Sequence, residues 1–270
     1  MKYSNHNNQP DDHLDEIEPV RREGSQPARS QLPPRATIRL PKLTPWVTYV
    51  MLVMSVLMYM FQITSEATLG FDLPAALGMK INELIAMGEY WRLLTPMFLH
   101  GSIFHIGFNM YALFIFGPLL ERHFGHKRFL ALYLLSGFAG NVISLMFTIQ
   151  PSLGSSTAIF GLLGGQAVFM YRNQKIFGGI ARRALSNIIS IAVINLLIGL
   201  SPGIDNWGHV GGLVGGALFA WGGGPLYRIE GVMPVFSLAD EREPAEIIQA
   251  GVGVLILYIV LALASLYLLV

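Results

Sequence analysis

Seven runs of mostly apolar residues, at 46–63, 103–120, 129–148, 156–171, 184–200, 207–221 and 247–270, decide what this chain can fold into. A helix needs roughly 20 apolar residues to cross about 30 Å of hydrocarbon. The runs therefore read as seven transmembrane helices, an all-α polytopic membrane bundle. Composition agrees: 53% of residues are hydrophobic and 13% charged, where a soluble domain carries about 25% charged residues.

The basic residues test the count, because Lys and Arg concentrate in cytoplasmic loops. With a cytoplasmic N-terminus, the inner loops hold Arg122, Lys127, Arg128, Arg172, Lys175, Arg182, Arg183, Arg228 and Arg242. The outer loops hold only Lys80 and Arg92. Seven spans satisfy the rule and put the C-terminus outside. The expected location is a bacterial cell (inner) membrane.

Residues 1–44 are polar, Pro-rich and mixed in charge. Such a stretch cannot bury enough apolar surface to order itself and reads as a disordered cytoplasmic tail. It has no apolar core of a signal peptide, and its acidic residues argue against a transit peptide. Residues 45–225 form the six-span working unit, 226–246 an acidic cytoplasmic loop, and 247–270 an added seventh span. No cysteine is present, which excludes disulfides and thiol nucleophiles. A net charge of +1 argues against nucleic acid as a partner.

Polar side chains inside spans are costly, so each is a functional hypothesis. They are His105 and Asn109 in span two, Asn141 in span three, Ser155, Ser156 and Thr157 opening span four, Asn195 in span five, and His209 opening span six. Spans two, four and six all run outside to inside, so His105, Ser156 and His209 share one depth near the outer face. From Ser156 to Tyr171 a helix covers about 24 Å, short of the roughly 30 Å core. Ser156 should thus lie below the outer surface, with residues 150–155 dipping in. Irregular backbone at that depth needs protein or a wet cavity around it.

His105 and Asn109 are four apart and share a helix face, from which both can donate to a common point. Gly154 permits a sharp turn before Ser155-Ser156, and the helix N-terminus beyond it favours developing negative charge. A nucleophile, a base and several donors are the parts of acyl transfer. Each also has an ordinary reading. Ser-Ser-Thr is an N-cap signal, His105 and Asn109 can join helices, and His209 can be a packed histidine. His123 and His126 resemble a metal pair without a third ligand. Gly161-x-x-x-Gly165, Gly211-x-x-x-Gly215 and Gly212-x-x-x-Gly216 are small-residue faces expected to pack spans four and six.

Over roughly residues 46–221 the chain resembles the rhomboid intramembrane proteases. Tyr90-Trp91-Arg92 is similar to the family's W-R motif, and His105-x-x-x-Asn109 to its H-x-x-x-N. Gly117-x-x-x-Glu121-x-x-x-Gly125 is similar to its G-x-x-x-E-x-x-x-G. Gly154-Ser155-Ser156-Thr157 resembles its G-x-S-x, and His209-Val210-Gly211-Gly212 its H-x-x-G.

The resemblance implies a serine endopeptidase with Ser156 as nucleophile, His209 as base and no third acid. It implies an oxyanion site from His105, Asn109 and the Ser156 N–H, and packing of Phe160 on the base. Trp91, Arg92 and Glu121 would be supports. The implied substrates are transmembrane segments of single-span or multi-span membrane proteins in the bilayer, cut near the outer face; no metal or cofactor is implied. Thr157 departs from the family's common Gly and is expected to narrow the pocket. The alternative reading is a rhomboid-like membrane-protein binding factor, catalytically weak or inactive. Bulky Ile191, Val193, Ile194, Leu196, Leu197 and Ile198 suit loose contacts, so a lateral gate is expected between the outer halves of spans two and five.

Overall fold

The structure, a computed structural model, describes residues 1, 37–39, 43–232 and 235–269. Most of the tail expected at 1–44 lies outside the described residues, as does Val270. Ten helices occur among them: α1 (Trp46–Leu69), α2 (Leu73–Gly78), α3 (Asn82–Ala86), α4 (Ile103–Phe124), α5 (His126–Phe147), α6 (Ser156–Arg172), α7 (Gln174–Phe177), α8 (Gly179–Ile198), α9 (Asn206–Gly223) and α10 (Pro244–Leu269). The seven apolar runs fall on α1, α4, α5, α6, α8, α9 and α10.

Five of these, α1, α4, α5, α8 and α10, are long and apolar enough to cross a membrane by themselves. α6 is short and α9 is interrupted by glycines. The reason lies in the packing. α6 sits at the centre of the bundle with most of its residues buried, against α5 and α9. A helix sheathed by protein has no need of a lipid-facing apolar surface. The exposed hydrophobics gather instead on α1, α4, α8 and α10.

Helices in lipid gain little from apolar burial and associate by close packing. Here small residues do that work. A Cβ on Gly212 would lie 1.9 Å from the Thr157 carbonyl, and one on Gly216 2.1 Å from the Gly161 carbonyl, so α6 and α9 touch backbone to backbone. The other faces differ from expectation. Gly211 and Gly215 abut Ile143 and Ala139 of α5, and Gly165 abuts Leu132 of α5. The glycines thus join three helices rather than two.

Between α1 and α4, the loop holds α2, α3 and two 3-10 turns, Tyr90–Leu93 and Thr95–Phe98. Buried Arg92 donates to the Met79 and Ala76 carbonyls at 2.8 Å and to Glu89 at 2.5 Å, while Trp91 Nε1 donates to the Leu77 carbonyl. Asn141 Nδ2 ties this loop to α5 through the Leu93 carbonyl.

At the opposite end of the bundle, Glu121 is fully buried and accepts from the Val47 and Thr48 amides at 2.9 and 2.7 Å. It caps α1 from another helix, since Pro45 provides no side-chain cap. His126 Nδ1 meets the same carboxylate at 2.6 Å, whereas the His123 ring packs among Phe169, Phe177 and Tyr227. The two histidines therefore have different partners. The segment read as an acidic loop holds an antiparallel hairpin, β2 (Tyr227–Val232) and β3 (Val235–Asp240), with β1 (Thr37–Arg39) parallel to β3.

Candidate active site

The 148–155 segment leaves α5, pairs Ser152 with Lys80 across a two-bond bridge, and turns at Gly154. Gly154 has φ +139° and donates its N–H to the Pro96 carbonyl at 2.9 Å. A Cβ there would meet His105 Nε2 at 2.7 Å, so the turn admits only glycine on both counts.

The two serines beyond it separate clearly. Ser155 is buried and its Oγ lies 3.1 Å from His100 Nε2. It makes no side-chain cap on α6, so the N-cap reading of Ser-Ser-Thr does not account for it. Ser156 is half-buried, opens on a cavity, and its Oγ lies 2.9 Å from His209 Nε2.

His209 enters from α9, where Asp205 caps the helix by accepting from the Gly208 amide at 3.0 Å. The Phe160 ring stacks on the imidazole at 4.4 Å and 7°. His209 Nδ1 is buried without a partner among the described residues. Asp205 does not fill that role, because its carboxylate is engaged by Gly208, Thr148 and Ser144. The pair is a Ser–His couple whose ring is oriented by stacking rather than by an acid.

Opposite lie two donors. His105 Nδ1 accepts from the Gly101 amide at 3.4 Å, which leaves the proton on Nε2, facing the turn beside Ser156. Asn109 Nδ2 is buried and unpartnered among the described residues. An amide N–H buried without an acceptor costs roughly 1–3 kcal/mol, and an oxyanion would satisfy it. Thr157 packs toward Gly140 and Gly208 and leaves no room for a side chain at Gly140, 2.6 Å from its Cβ. Its side chain packs between α5 and α9 and also lines the cavity beside Ser156.

The cavity is about 1200 Å³ and is lined by α4, α6, α8, α9 and the 148–155 segment. It is walled on one side by Phe108 and Ala112 of α4 and by Ile191, Asn195 and Ile198 of α8. α4 and α8 scarcely touch each other, and Phe108 is 74% exposed. Asn195 donates back to the Ile191 carbonyl of its own helix.

Three residues here escaped the sequence reading. His100 carried no motif; burial and then the His105 ring pull its imidazole down to about 3, so it is a neutral partner for Ser155. Asp205 stands in Asp-Asn-Trp-Gly-His, an N-cap signal that was readable. Lys80 was visible only as one of two basic residues in an outer loop.

A helical bundle with a Ser–His pair facing two donors across a cavity has the parts of an acyl-transfer site. A Rhomboid domain model matches residues 87–225, which is half of the chain, and the protein belongs to the rhomboid family. It is 42% identical to Rhomboid protease GluP of Bacillus subtilis (strain 168) over 173 residues, 64% of this chain and 34% of that protein. It is 34% identical to RHOMBOID-like protein 9, chloroplastic, of Arabidopsis thaliana over 61% of this chain and 40% of that protein. A further relative, at 34% identity over 51% of this chain and 39% of its own length, is named Inactive RHOMBOID-like protein 8. The chain spans about a third of the length of GluP and two fifths of these plant relatives. It is an integral membrane protein.

Proposed function

We propose that this protein is an intramembrane serine endopeptidase that cleaves transmembrane segments near the outer membrane face. The observation that carries the reading is the 2.9 Å contact between Ser156 Oγ and His209 Nε2 on the wall of a cavity lined on one side by α4 and α8. Ser156 Oγ attacks the scissile carbonyl as His209 Nε2 takes its proton. The oxyanion is held by His105 Nε2–H, Asn109 Nδ2–H and the Ser156 N–H at the uncapped start of α6. His209 then returns the proton to the leaving amine as the C–N bond breaks, and water, deprotonated by the same base, hydrolyses the resulting Ser156 ester. Trp91 and Arg92 support the loop over the site, and Glu121 anchors α1 to α4.

A membrane-borne substrate reaches Ser156 sideways. The thin contact between α4 and α8 supports entry there, while α5, α6 and α9 stay fixed. The distribution of Lys and Arg supports a cytoplasmic N-terminus, an outer C-terminus and a site facing outward.

The test is cleavage of a single-span membrane protein by the purified chain in lipid. Ser156→Ala and His209→Ala should abolish the product while the fold is kept, and Ser155→Ala should retain activity. Wild-type protein that binds the substrate but never cuts it would establish a non-catalytic factor instead.

A further inference from the structure

Lys80 is joined by its main chain to the 148–155 segment and, through Ser144, to the turn that carries His209. Its main chain and that of Ser152 exchange two hydrogen bonds, at 2.9 and 3.1 Å, four residues before Ser156. Its side chain is fully buried. Nζ donates to Ser144 Oγ at 2.9 Å, the Thr148 carbonyl at 2.7 Å and the Gln150 carbonyl at 3.2 Å, which occupies all three of its hydrogens. The Ser144 hydroxyl in turn donates to Asp205 Oδ2, and Thr148 Oγ1 donates to Oδ1 at 3.0 Å. Asp205 caps α9, and its carbonyl accepts the His209 amide at 3.2 Å.

We propose that Lys80 is a positioning residue. Its main chain sets the segment leading to Ser156, and its ammonium, relayed through Ser144 to Asp205, sets the turn that carries His209. This rests on the Ser156–His209 reading and adds to it a control on the geometry of the pair.

A buried ammonium is a costly filler: replacing a whole buried ion pair by apolar side chains is commonly neutral or stabilising, whereas removing one partner leaves the other charge uncompensated. What the charge adds is a second tie, beside the Thr148–Asp205 hydrogen bond, between the 148–155 segment and the turn that carries His209. It also adds a dependence on pH. Burial pulls Lys80 down to about 8, against the opposing pull of Asp205 and Glu83, the charged groups that face it. Burial pushes Asp205 up, but hydrogen bonds from Ser144, the Gly208 amide and Ser152, with the Lys80 charge, outweigh it and hold the carboxyl below its usual range. Above about pH 8, then, Lys80 discharges beside an ionised Asp205 and the relay loses its cation.

The sign for stability is the reverse. The folded pKa lies below the unfolded value of 10.5, so between about 8 and 10.5 the unfolded chain holds more protons. Stability contributed by this group rises over that window. Loss of reactivity there without loss of stability is a signature that unfolding cannot give.

The experiment measures the labelling rate of Ser156 by a small fluorophosphonate, with the full chain in detergent micelles, from about pH 6 to about pH 10, alongside thermal unfolding. Wild type should slow as the pH passes about 8 with no fall in its unfolding temperature. Lys80→Met, compared at equal folded fraction, should label about 10-fold more slowly at neutral pH and lack the alkaline decline. Asp205→Asn, which keeps a capping side chain, should lose a similar factor. The double variant should be no slower than the slower single one, since both remove one relay. Wild-type rates in Lys80→Met, or losses that multiply in the double variant, overturn the proposal. Should Lys80→Met not fold, Asp205→Asn decides: an alkaline decline as large as in wild type overturns it, and its disappearance supports it. A wild type that is never labelled at Ser156 removes the dyad reading itself, and the two failures are thereby distinct.

Discussion

Replacing Gly212 with Ala tests whether backbone contact between α6 and α9 fixes the reacting atoms. The added Cβ would stand 1.9 Å from the Thr157 carbonyl oxygen, which is main chain and cannot rotate aside. An ordinary contact is roughly 3.5 Å, so the helices must part by about 1.5 Å at this level. His209 lies one turn before Gly212 on α9, and Thr157 directly follows Ser156. A rigid displacement of that size carries the Ser156–His209 contact from 2.9 Å to beyond the roughly 3.2 Å limit of a good hydrogen bond. Misplacement by about 1 Å costs on the order of 10²-fold in rate, and overpacking costs about 1–3 kcal/mol in stability. The assay is fluorophosphonate labelling of Ser156, which needs no substrate entry, normalised to folded protein. Gly253→Ala on α10 is the control, since its Cβ would meet nothing within 4 Å. Gly216→Ala should destabilise to a similar degree, with a clash at 2.1 Å, but slow labelling less, being one turn farther from the dyad. Gly212→Ala that folds and labels at the wild-type rate would refute the claim that this contact sets the geometry.

Two further outcomes follow from the site. Asn109→Ala should lower kcat by about 10²–10³ with a smaller change in KM, as expected for a donor used only in the transition state; a change in KM alone would place Asn109 on the bound substrate instead. Shortening Phe108, Leu196 or Leu197 to Ala should speed cleavage of a transmembrane substrate at equal folded fraction and leave fluorophosphonate labelling unchanged, and equal effects on both reactions would argue against entry between α4 and α8.

The helical segments were legible because hydrocarbon thickness imposes a length that apolar runs display directly. Hydropathy weakens where helices are buried by their neighbours: α6 and α9, which carry Ser156 and His209, fall outside the five helices apolar and long enough to span alone. Spacing supplied what hydropathy could not, since Gly154, Ser156 and His209 sit at helix starts. The faces of the glycines were not legible, because a Gly-x-x-x-Gly pattern announces a close approach without naming the neighbour. The contacts of Lys80 were hidden for a related reason. Its partners are carbonyls and hydroxyls of residues more than sixty positions away, and no local pattern records them. The hairpin in the 226–246 segment was masked by its charges, which occupy exposed positions of short strands.

The arrangement divides the bundle by the kind of contact each helix makes. α5, α6 and α9 meet through glycines and carbonyls, contacts with hard distances that leave no slack for a side chain. α8 fully buries only Ala181, Ile188 and Ala192, and most of its other residues are exposed or line the cavity. At its site end it is held by Asn206, whose Nδ2 donates to the Leu196 carbonyl at 3.1 Å. A Ser–His pair without an acid depends on placement more than one with it, because no carboxylate fixes the imidazole. The rigid contacts therefore belong under the pair, and the loose ones belong where a bulky substrate has to enter. On the proposed function, exchanging the two would leave either a gate that cannot open or a base that cannot hold its distance.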